Sequence, residues 1–426
     1  MQFSLNDYII NLFEDYFRRF FCMNNNVVKH QRRKRFYTVI AAISRFIHKN
    51  VVLAIAAVAA LITSFIVPPD AEYLGYFDFK TLTCLFCTLA CICALRNIRF
   101  FVILAHRIIK LCKNAKLCVL TLAYITFIGS MVLANDMALL TFLPLGYMAL
   151  KSTGKEKYMA FTFVMQNIAA NLGGMLTPFG NPQNLYIYSK FNIPTGEFMG
   201  IMVLPFAVSI VAITAFCLIF VKAEPLELKD DDAPINRPRA AIYLVLFALS
   251  VIIVFRLIPY QVGLVVVPLA LLFLDRKALK KVDYPLLLTF CMFFIFAGNM
   301  ARIPLVRDLF EELLELNTLV VSALSCQVIS NVPSAVLLSQ FTENYRELLL
   351  GVNIGGAGTL IASLASLITF RHFTENVPGK TKQYLLIFSA FNFGMLALLL
   401  VVCSLVLLFI LGQRKSYQKE RIRLFS

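Results

Sequence analysis

Long uncharged stretches recur along this chain, and they constrain its fold more than any other feature of the sequence. Residues 201–221 and 384–411 are two of the clearest, and neither contains a charged side chain. A helix of about 20 apolar residues spans the ~30 Å hydrocarbon core of a bilayer. Charged residues make up only 15% of the chain, against about 25% in a typical soluble domain. The sequence therefore predicts an all-α polytopic membrane protein.

The formal net charge of +16 raises the question of nucleic acid binding. Lys and Arg lie between the apolar stretches and not on one basic face, so we interpret them as topology signals and expect no nucleic acid partner. The densest basic cluster, at residues 18–35, precedes the first apolar stretch. Because basic residues favour the cytoplasmic side, residues 1–49 are predicted to form a cytoplasmic, basic, amphipathic segment that lies on anionic membrane lipid.

The predicted location is the cell membrane, with multiple spans and a cytoplasmic N-terminus. The C-terminal tail, residues 413–426, is also basic, which favours the same side. The predicted number of crossings places it on the opposite side. The sequence leaves the side of the tail open.

A hydrophilic stretch at residues 222–239, with three prolines and three consecutive aspartates, divides the apolar region in two. It is typical of a solvated linker, here cytoplasmic, between a first membrane repeat at residues 50–221 and a second at residues 240–412. Residues 171–185, NLGGMLTPFGNPQNL, align without gaps with residues 353–367, NIGGAGTLIASLASL. The alignment pairs polar residues and glycines: Asn171 with Asn353, Gly173 and Gly174 with Gly355 and Gly356, Thr177 with Thr359, Asn181 with Ser363, and Asn184 with Ser366.

Each half also carries a polar interruption inside an apolar run. NDMALLTF begins at Asn135 within residues 117–150, and SNVP begins at Ser330 within residues 316–341. The first run has basic flanks and the second has acid-rich flanks, so we expect two re-entrant hairpins that enter from opposite sides of the membrane. Their tips would lie at these polar residues. For the first run, one long tilted helix or two ordinary spans is the alternative.

Glycine and proline predict a broken transmembrane helix in residues 158–189, and glycine predicts another in residues 346–370. Non-helical backbone at membrane depth is tolerated only where protein or a water-filled cavity covers it. Free carbonyls and helix C-termini suit Na⁺, and helix N-termini suit an anion. Asn135 and Asn331 are suited to cap the outgoing half-helix of each hairpin. We therefore expect two tips and two breaks to face one central site.

Asp136 lies at the centre of a long apolar stretch. A charge at that depth costs about 2.5–3.5 kcal/mol, so such a residue is a functional candidate for binding a cation or a proton. The alternative is a structural carboxylate at a helix N-terminus. No Lys or Arg accompanies it at the tips or breaks, so amides, hydroxyls and helix N-termini would have to hold an anion.

The eleven cysteines indicate neither a disulfide framework nor a metal site. Cys84, Cys87 and Cys91 lie in an apolar stretch without a nearby His, where Cys behaves as a small hydrophobe. Nucleotide loops, zinc spacings and nucleophile elbows are missing from the sequence. We expect no enzymatic activity and no cofactor beyond a bound Na⁺.

These motifs resemble those of the ion transporter superfamily, in particular its citrate transporters, divalent-anion/sodium symporters and arsenite permeases. The resemblance extends from about residue 51 to residue 411 and rests on NDMALLTF, NPQNL, SNVP and NIGGAGTLIASLASL. It implies two inverted-topology repeats, a hairpin from each side, a scaffold that forms a homodimer, and an elevator-like movement of the site-bearing domain.

The tips depart from the Ser-Asn-Thr pattern of the symporters in that group. The second tip keeps Ser330 and Asn331 but continues with Val332. The first tip reads Ala-Asn-Asp and ends at Asp136, which is similar to the arsenite and sodium/proton antiporter branches. That similarity favours coupling to H⁺ or Na⁺ through Asp136.

The leading hypothesis is a secondary active transporter for a small anion, an organic carboxylate such as citrate or a dicarboxylate, coupled to Na⁺ or H⁺. The alternatives are a sodium/proton antiporter or arsenite-type exporter that uses Asp136, and an ion channel. The predicted substrate-binding residues are Asn135, Asn171, Thr177, Asn181, Asn184, Ser330, Asn331, Asn353, Thr359, Ser363 and Ser366. The predicted cation-binding residues are Asn135, Asp136, Gly173, Gly174, Asn331, Gly355 and Gly356.

Overall fold

The computed structural model describes residues 50–226 and 234–425, with side chains described as far as residue 409. The predicted amphipathic segment at residues 1–49 lies outside the described residues, and so does the middle of the predicted linker.

The chain divides into two compact units, Met1–Ile55 and Ala56–Ser426. Of the first unit, the structure describes only residues 50–55, which include the start of the first helix. The second unit contains the remaining helices and every residue predicted to form the site.

Within residues 50–226, regular structure is helical apart from one isolated bridge between Asn114 and Pro225. The α-helices are α1 (Val51–Ile66), α2 (Phe79–Asn97), α3 (Phe100–Ile109), α4 (Ala115–Leu133), α5 (Asn135–Ser152), α6 (Met159–Gly173), α7 (Pro182–Lys190) and α8 (Thr195–Phe220). Short 3₁₀ helices lie at Ala71–Tyr76, Glu156–Tyr158 and Gly174–Leu176.

Residues 234–425 are likewise helical. The α-helices are α9 (Arg237–Val254), α10 (Tyr260–Leu274), α11 (Arg276–Lys280), α12 (Tyr284–Ala301), α13 (Pro304–Ile329), α14 (Asn331–Leu338), α15 (Tyr345–Ile354), α16 (Leu364–Asn376) and α17 (Thr381–Phe425). The last helix continues through the predicted basic tail.

Seven described helices are long and apolar enough to cross a membrane, namely α2, α4, α8, α9, α12, α13 and α17. Large apolar side chains lie on their outer surfaces and on those of shorter apolar helices; Phe65, Val211 and Phe273 are 68–79% exposed. Such side chains suit contact with lipid and would be costly in water. The predicted class of an all-α polytopic membrane protein is confirmed.

The chain reverses direction at the two predicted tips. Only Ala134 separates α4 from α5, and its φ of 63° and ψ of 149° are not helical. Ser330 separates α13 from α14 in the same way, with φ 75° and ψ 157°. Each pair of helices packs together, so the first run is not one continuous helix. The membrane faces from which the two helix pairs enter stay a prediction.

An asparagine starts the first helix of each pair. The Asn114 side chain accepts a hydrogen bond from the N–H of Leu117 at 2.9 Å, where α4 begins. Within α13 the backbone breaks at Asn317, and its side chain accepts from the N–H of Val320 at 2.9 Å. The part of α13 that leads to the tip is therefore residues 318–329. It is shorter than the 19 residues of α4, about 18 Å against about 28 Å at ~1.5 Å per residue.

Irregular backbone separates α6 from α7 and α15 from α16. We call residues 174–181 the first break and residues 355–363 the second break. Both fall inside the ranges predicted for broken helices. The second helix of each pair crosses to the other half, because α5 packs against α16 and α14 packs against α7.

The start of the predicted linker is fastened to the α4–α5 pair. The backbone of Glu224 accepts from the N–H of Ala115 at 2.8 Å. Its carboxylate forms ion pairs with Lys157 and Lys155 and accepts from the Tyr158 hydroxyl. Hydrogen bonds from the two lysines lower the pKa of Glu224 to about 2. Glu224 thus holds the start of α4 through its backbone and the residues that follow α5 through its side chain.

Gly173→Ala tests the close approach of α6 to α4. A Cβ at this position would lie 2.2 Å from the backbone oxygen of Phe127, which cannot move without shifting α4. We expect a free energy of unfolding lower by about 1–3 kcal/mol. The measurement is the thermal unfolding of purified protein in detergent.

Gly200→Ala is the matched control, because nothing lies within 4 Å of its added Cβ and it also lies in a helix. An unchanged melting temperature for Gly173→Ala would contradict the close packing described here.

Candidate functional site

The two tips present the same local geometry to the interior. α5 begins with Asn135, whose Oδ1 accepts the next backbone N–H at 2.9 Å. α14 begins with Asn331, whose Oδ1 accepts the next N–H at 2.9 Å. Ala134 and Ser330 occupy the cap positions, so each asparagine lies one residue later than expected. The side chains still satisfy one unpaired N–H of each helix start.

The second tip is bonded to the second break of its own half. The N–H of Asn331 donates to the carbonyl of Ala362 at 2.9 Å. The hydroxyl of Ser330 lies 3.4 Å from the same oxygen. These contacts fix the tip beside the start of α16.

Asn171, near the end of α6, is the centre of the polar network. Its Oδ1 accepts from Asn135 Nδ2 at 3.2 Å and from Ser363 Oγ at 2.7 Å. Its backbone carbonyl accepts from Asn181 Nδ2 at 3.2 Å. All four residues are at most 3% exposed. One buried asparagine therefore joins the first tip to both breaks, through its side chain and its backbone carbonyl.

The two halves contact each other in a reciprocal way. Asn181 of the first break donates to Asn353 Oδ1 at 3.3 Å. Ser363 of the second break donates to Asn171. The sequence alignment pairs these residues, 171 with 353 and 181 with 363, so each break reaches the asparagine of the other half. Two repeats related by a pseudo-twofold axis would produce this pattern.

Asn184 and Asn353 hold backbone of the first break and of α15. Asn353 Nδ2 donates to Asn184 Oδ1 at 2.6 Å and to a carbonyl of α15 at 2.8 Å. Asn184 Nδ2 lies 3.2–3.3 Å from three carbonyl oxygens of the first break. Both amide nitrogens are engaged by protein, and their contact with substrate stays a prediction.

Thr177 and Thr359 tie each break to the first helix of its own hairpin. Thr177 Oγ1 donates to the carbonyl of Met131 at 2.8 Å. Thr359 Oγ1 donates to the carbonyl of Gln327 at 3.0 Å. Met131 and Gln327 each lie three residues before the turn. The threonines predicted as substrate ligands therefore make equivalent structural contacts.

Gln327 is a residue of this site that the sequence analysis missed. Its Nε2 donates to the carbonyls of Gly355 at 2.8 Å and Ala357 at 3.2 Å, and its Oε1 accepts from the N–H of Thr359 at 2.9 Å. Gly358 has φ 122°, and a Cβ there would lie 2.1 Å from Gln327 Oε1. Its position three residues before the tip is the signal that could have found it.

Four polar atoms of the predicted site residues are buried without a hydrogen-bond partner in the described part of the chain. They are Asn171 Nδ2, Asn181 Oδ1, Ser366 Oγ and Asp136 Oδ1. Buried polar atoms nearly always have a partner. These atoms, which include a donor, two acceptors and a hydroxyl, are the best candidates for contact with a substrate or an ion.

Asp136 lines a small cavity of about 20 Å³ together with Asp283. Asp283 caps α12 through a 3.0 Å bond from the N–H of Leu286, and the sequence analysis did not identify it. Neither carboxylate takes part in an ion pair with a described residue. A cavity of this size accommodates about one water molecule or small ion.

Of the glycines predicted to bind a cation, two face the asparagines. A Cβ on Gly174 would lie 2.4 Å from Asn181 Oδ1, and one on Gly356 would lie 3.3 Å from Asn331 Nδ2. Gly173 and Gly355 instead face the first helices of their own hairpins. The carbonyl of Gly355 is already taken by Gln327.

A buried polar site where helix ends and irregular backbone meet, inside an all-helical membrane fold, is typical of a membrane transporter. Comparison with known families agrees. A model of the citrate transporter family matches residues 38–344, most of the chain. The match ends before α15, so the second break lies outside it.

Two curated relatives are similar over much of their length. An uncharacterized transporter of Methanocaldococcus jannaschii is 33% identical over 323 residues, which are 74% of this chain and 86% of the relative. The inner membrane protein YbiR of Escherichia coli is 28% identical over 281 residues, 64% of this chain and 74% of the relative. This chain belongs to the citrate transporter family.

Gln327→Met tests the role of the glutamine in holding the second break. Methionine has a similar length, and the first half carries Met131 at the equivalent position, but it cannot bond Gly355, Ala357 and Thr359. We expect a free energy of unfolding lower by about 1–3 kcal/mol, since buried backbone groups lose their partners. Thermal unfolding in detergent measures this change.

Gln261→Met is the control, because Gln261 is exposed at the start of α10. Equal melting temperatures for the two variants would show that Gln327 does not support the break.

Proposed function

We propose that this protein is a secondary active transporter that moves a small anion, an organic carboxylate such as citrate or a dicarboxylate, coupled to Na⁺ or H⁺. The observation that carries the proposal is the buried amide cluster around Asn171, where Asn171 Nδ2 and Asn181 Oδ1 have no partner among the described residues. A free amide N–H suits a carboxylate oxygen, and a free amide oxygen suits a hydroxyl or a cation. The name of the matched family supports the class of substrate.

The charge of the site supports coupling to a cation. The described hydrogen bonds of the cluster come from neutral amides and hydroxyls, so a bound polyanion would lack a fixed counter-charge there. A co-bound cation would supply that charge and would couple the transport of the anion to the transport of the cation. Carbonyls of the two breaks are suitable ligands for Na⁺.

The test is uptake of labelled citrate by proteoliposomes under an inward Na⁺ gradient and, separately, an inward H⁺ gradient. Asn171→Ala should reduce citrate affinity about tenfold or more, the effect of losing one or two hydrogen bonds. Asn376→Ala, at the far end of α16, is the control and should transport normally. Uptake that is absent for every carboxylate tested would contradict the proposal.

The cavity that Asp136 shares with Asp283 favours a second candidate, a sodium/proton antiporter or arsenite-type exporter in which Asp136 exchanges the cation. Whether the protein is an antiporter or an exporter of this kind, Asp136→Asn should abolish cation-dependent flux while the protein stays folded, because the amide is nearly the same size but cannot ionise. Asp275→Asn is the control, since that residue caps α11 outside the cavity. Full cation coupling in Asp136→Asn would exclude the carboxylate from the mechanism.

The same assay separates the candidates. Flux of Na⁺ against H⁺ without carboxylate uptake supports the antiporter, and conduction that needs no second gradient supports an ion channel. The proposal also includes two inverted repeats, an elevator-like movement, a homodimer and a cytoplasmic N-terminus. The reciprocal contacts of Asn181 and Ser363 support the repeats, and the other parts rest on the resemblance described above.

A further inference from the structure

A second cavity, of about 340 Å³, lies apart from the asparagine cluster. Its walls come from the segment before α2, the start of α2, the end of α7, α12 and Gln340, which follows α14. None of the residues that line it belongs to the predicted substrate or cation site. Its volume falls in the range of about 300–1,000 Å³ that is usual for sites of small molecules.

Two lysines give this cavity its charge. Lys80 on α2 and Lys190 on α7 both line it, and neither takes part in an ion pair with a described residue. Asp78 also lines it, but its two oxygens accept the N–H and hydroxyl of Thr81 at 2.9 and 2.5 Å. Two free ammonium groups thus face one carboxylate that is engaged at the start of α2.

Two charged residues outside the wall act on the lysines, and they are opposite in sign. Arg256 lies near Lys80 and Glu343 near Lys190. The lining itself contains two lysines and one aspartate, so its formal charge is positive and a cation is not a suitable occupant.

Neutral polar side chains also line the cavity. The Tyr186 hydroxyl is bonded to Ser339 at 3.0 Å and accepts from Gln340 Nε2 at 3.3 Å. Ser189 and Gln340 add a hydroxyl and an amide to the lining. Lysines on two separate helices suit an anion with charge at more than one end, since each ammonium can bind its own carboxylate.

We propose that this cavity, which we call the lysine pocket, binds a small di- or tricarboxylate and concentrates it near the transporter before it reaches the asparagine cluster. The choice of a carboxylate rests on the function proposed above, and the existence of an anion site rests on the two lysines. Because the pocket joins α2 to α7, its occupant also bridges the helix that follows the first break and a helix outside the hairpins.

The first test is binding to the purified full chain in detergent. Citrate should slow acetylation of Lys80 and Lys190 by an amine-reactive reagent at least threefold, as measured by peptide mass spectrometry, with no effect on the exposed Lys382. Protection should persist in Asn171→Ala, where the central cluster is damaged. Equal acetylation with and without citrate, loss of protection in Asn171→Ala, or equal protection by sulfate would overturn the assignment.

The second test is transport. Lys80→Gln with Lys190→Gln should raise the KM for citrate about tenfold and leave the maximal rate unchanged, because the positive charge of the lysine pocket raises the local anion concentration. The rise of KM with salt should be weaker in the double variant. Lys382→Gln is the control, and Lys80→Arg with Lys190→Arg should restore a low KM. A KM unchanged in the glutamine variant would overturn the proposal.

The two tests distinguish a failure of the lysine-pocket proposal from a failure of the proposed function. Citrate protection in a protein that transports no carboxylate would refute the function and leave the pocket standing. Transport without protection would refute the pocket alone.

Discussion

Side-chain amides that bond unwound backbone are the interaction on which this structure depends. A membrane interior offers no water to satisfy free carbonyls, so irregular backbone survives there only with protein partners. Asn184 supplies them for the first break and Gln327 for the second. These bonds, together with those of Thr177 and Thr359, hold the backbone that surrounds the asparagine cluster.

The two halves bond their unwound backbone with different residues from non-equivalent positions. In the second half a glutamine before the tip reaches across to the break, whereas in the first half an asparagine after the break reaches back. Both solutions keep the threonine contact to the carbonyl three residues before the turn. This mixture of shared and exchanged contacts is expected if the halves diverged from one unit under the same backbone constraint. It also allows the two sides of the site to differ chemically, as they do at Asp136.

Much of the fold could be predicted from the pattern of apolar stretches and polar interruptions. The tips at Asn135 and Asn331 and the two breaks followed from the spacing of asparagine, glycine and proline. The cap position was misplaced by one residue, because Ala134 and Ser330 adopt positive φ and take the turn themselves. The place of Gln327 three residues before the tip was a signal that we missed, whereas Asp283 and the lysine pair could not be predicted, because their roles depend on which helices pack together. Single residues in helices carry no spacing signal, and their partners are far away in sequence.

The unequal lengths of the two helices that lead to the tips have an electrical consequence. With entry from opposite faces, as proposed, the tips meet about 5 Å nearer to one face than two equal helices of the same total length would place them. The membrane potential is worth about 2.3 kcal/mol per charge per 100 mV across the whole bilayer. An ion that reaches the asparagine cluster from one face would therefore cross a smaller fraction of the field than an ion from the other. Voltage would act more strongly on ion movement from the face where the longer helix, α4, enters than on movement from the other face.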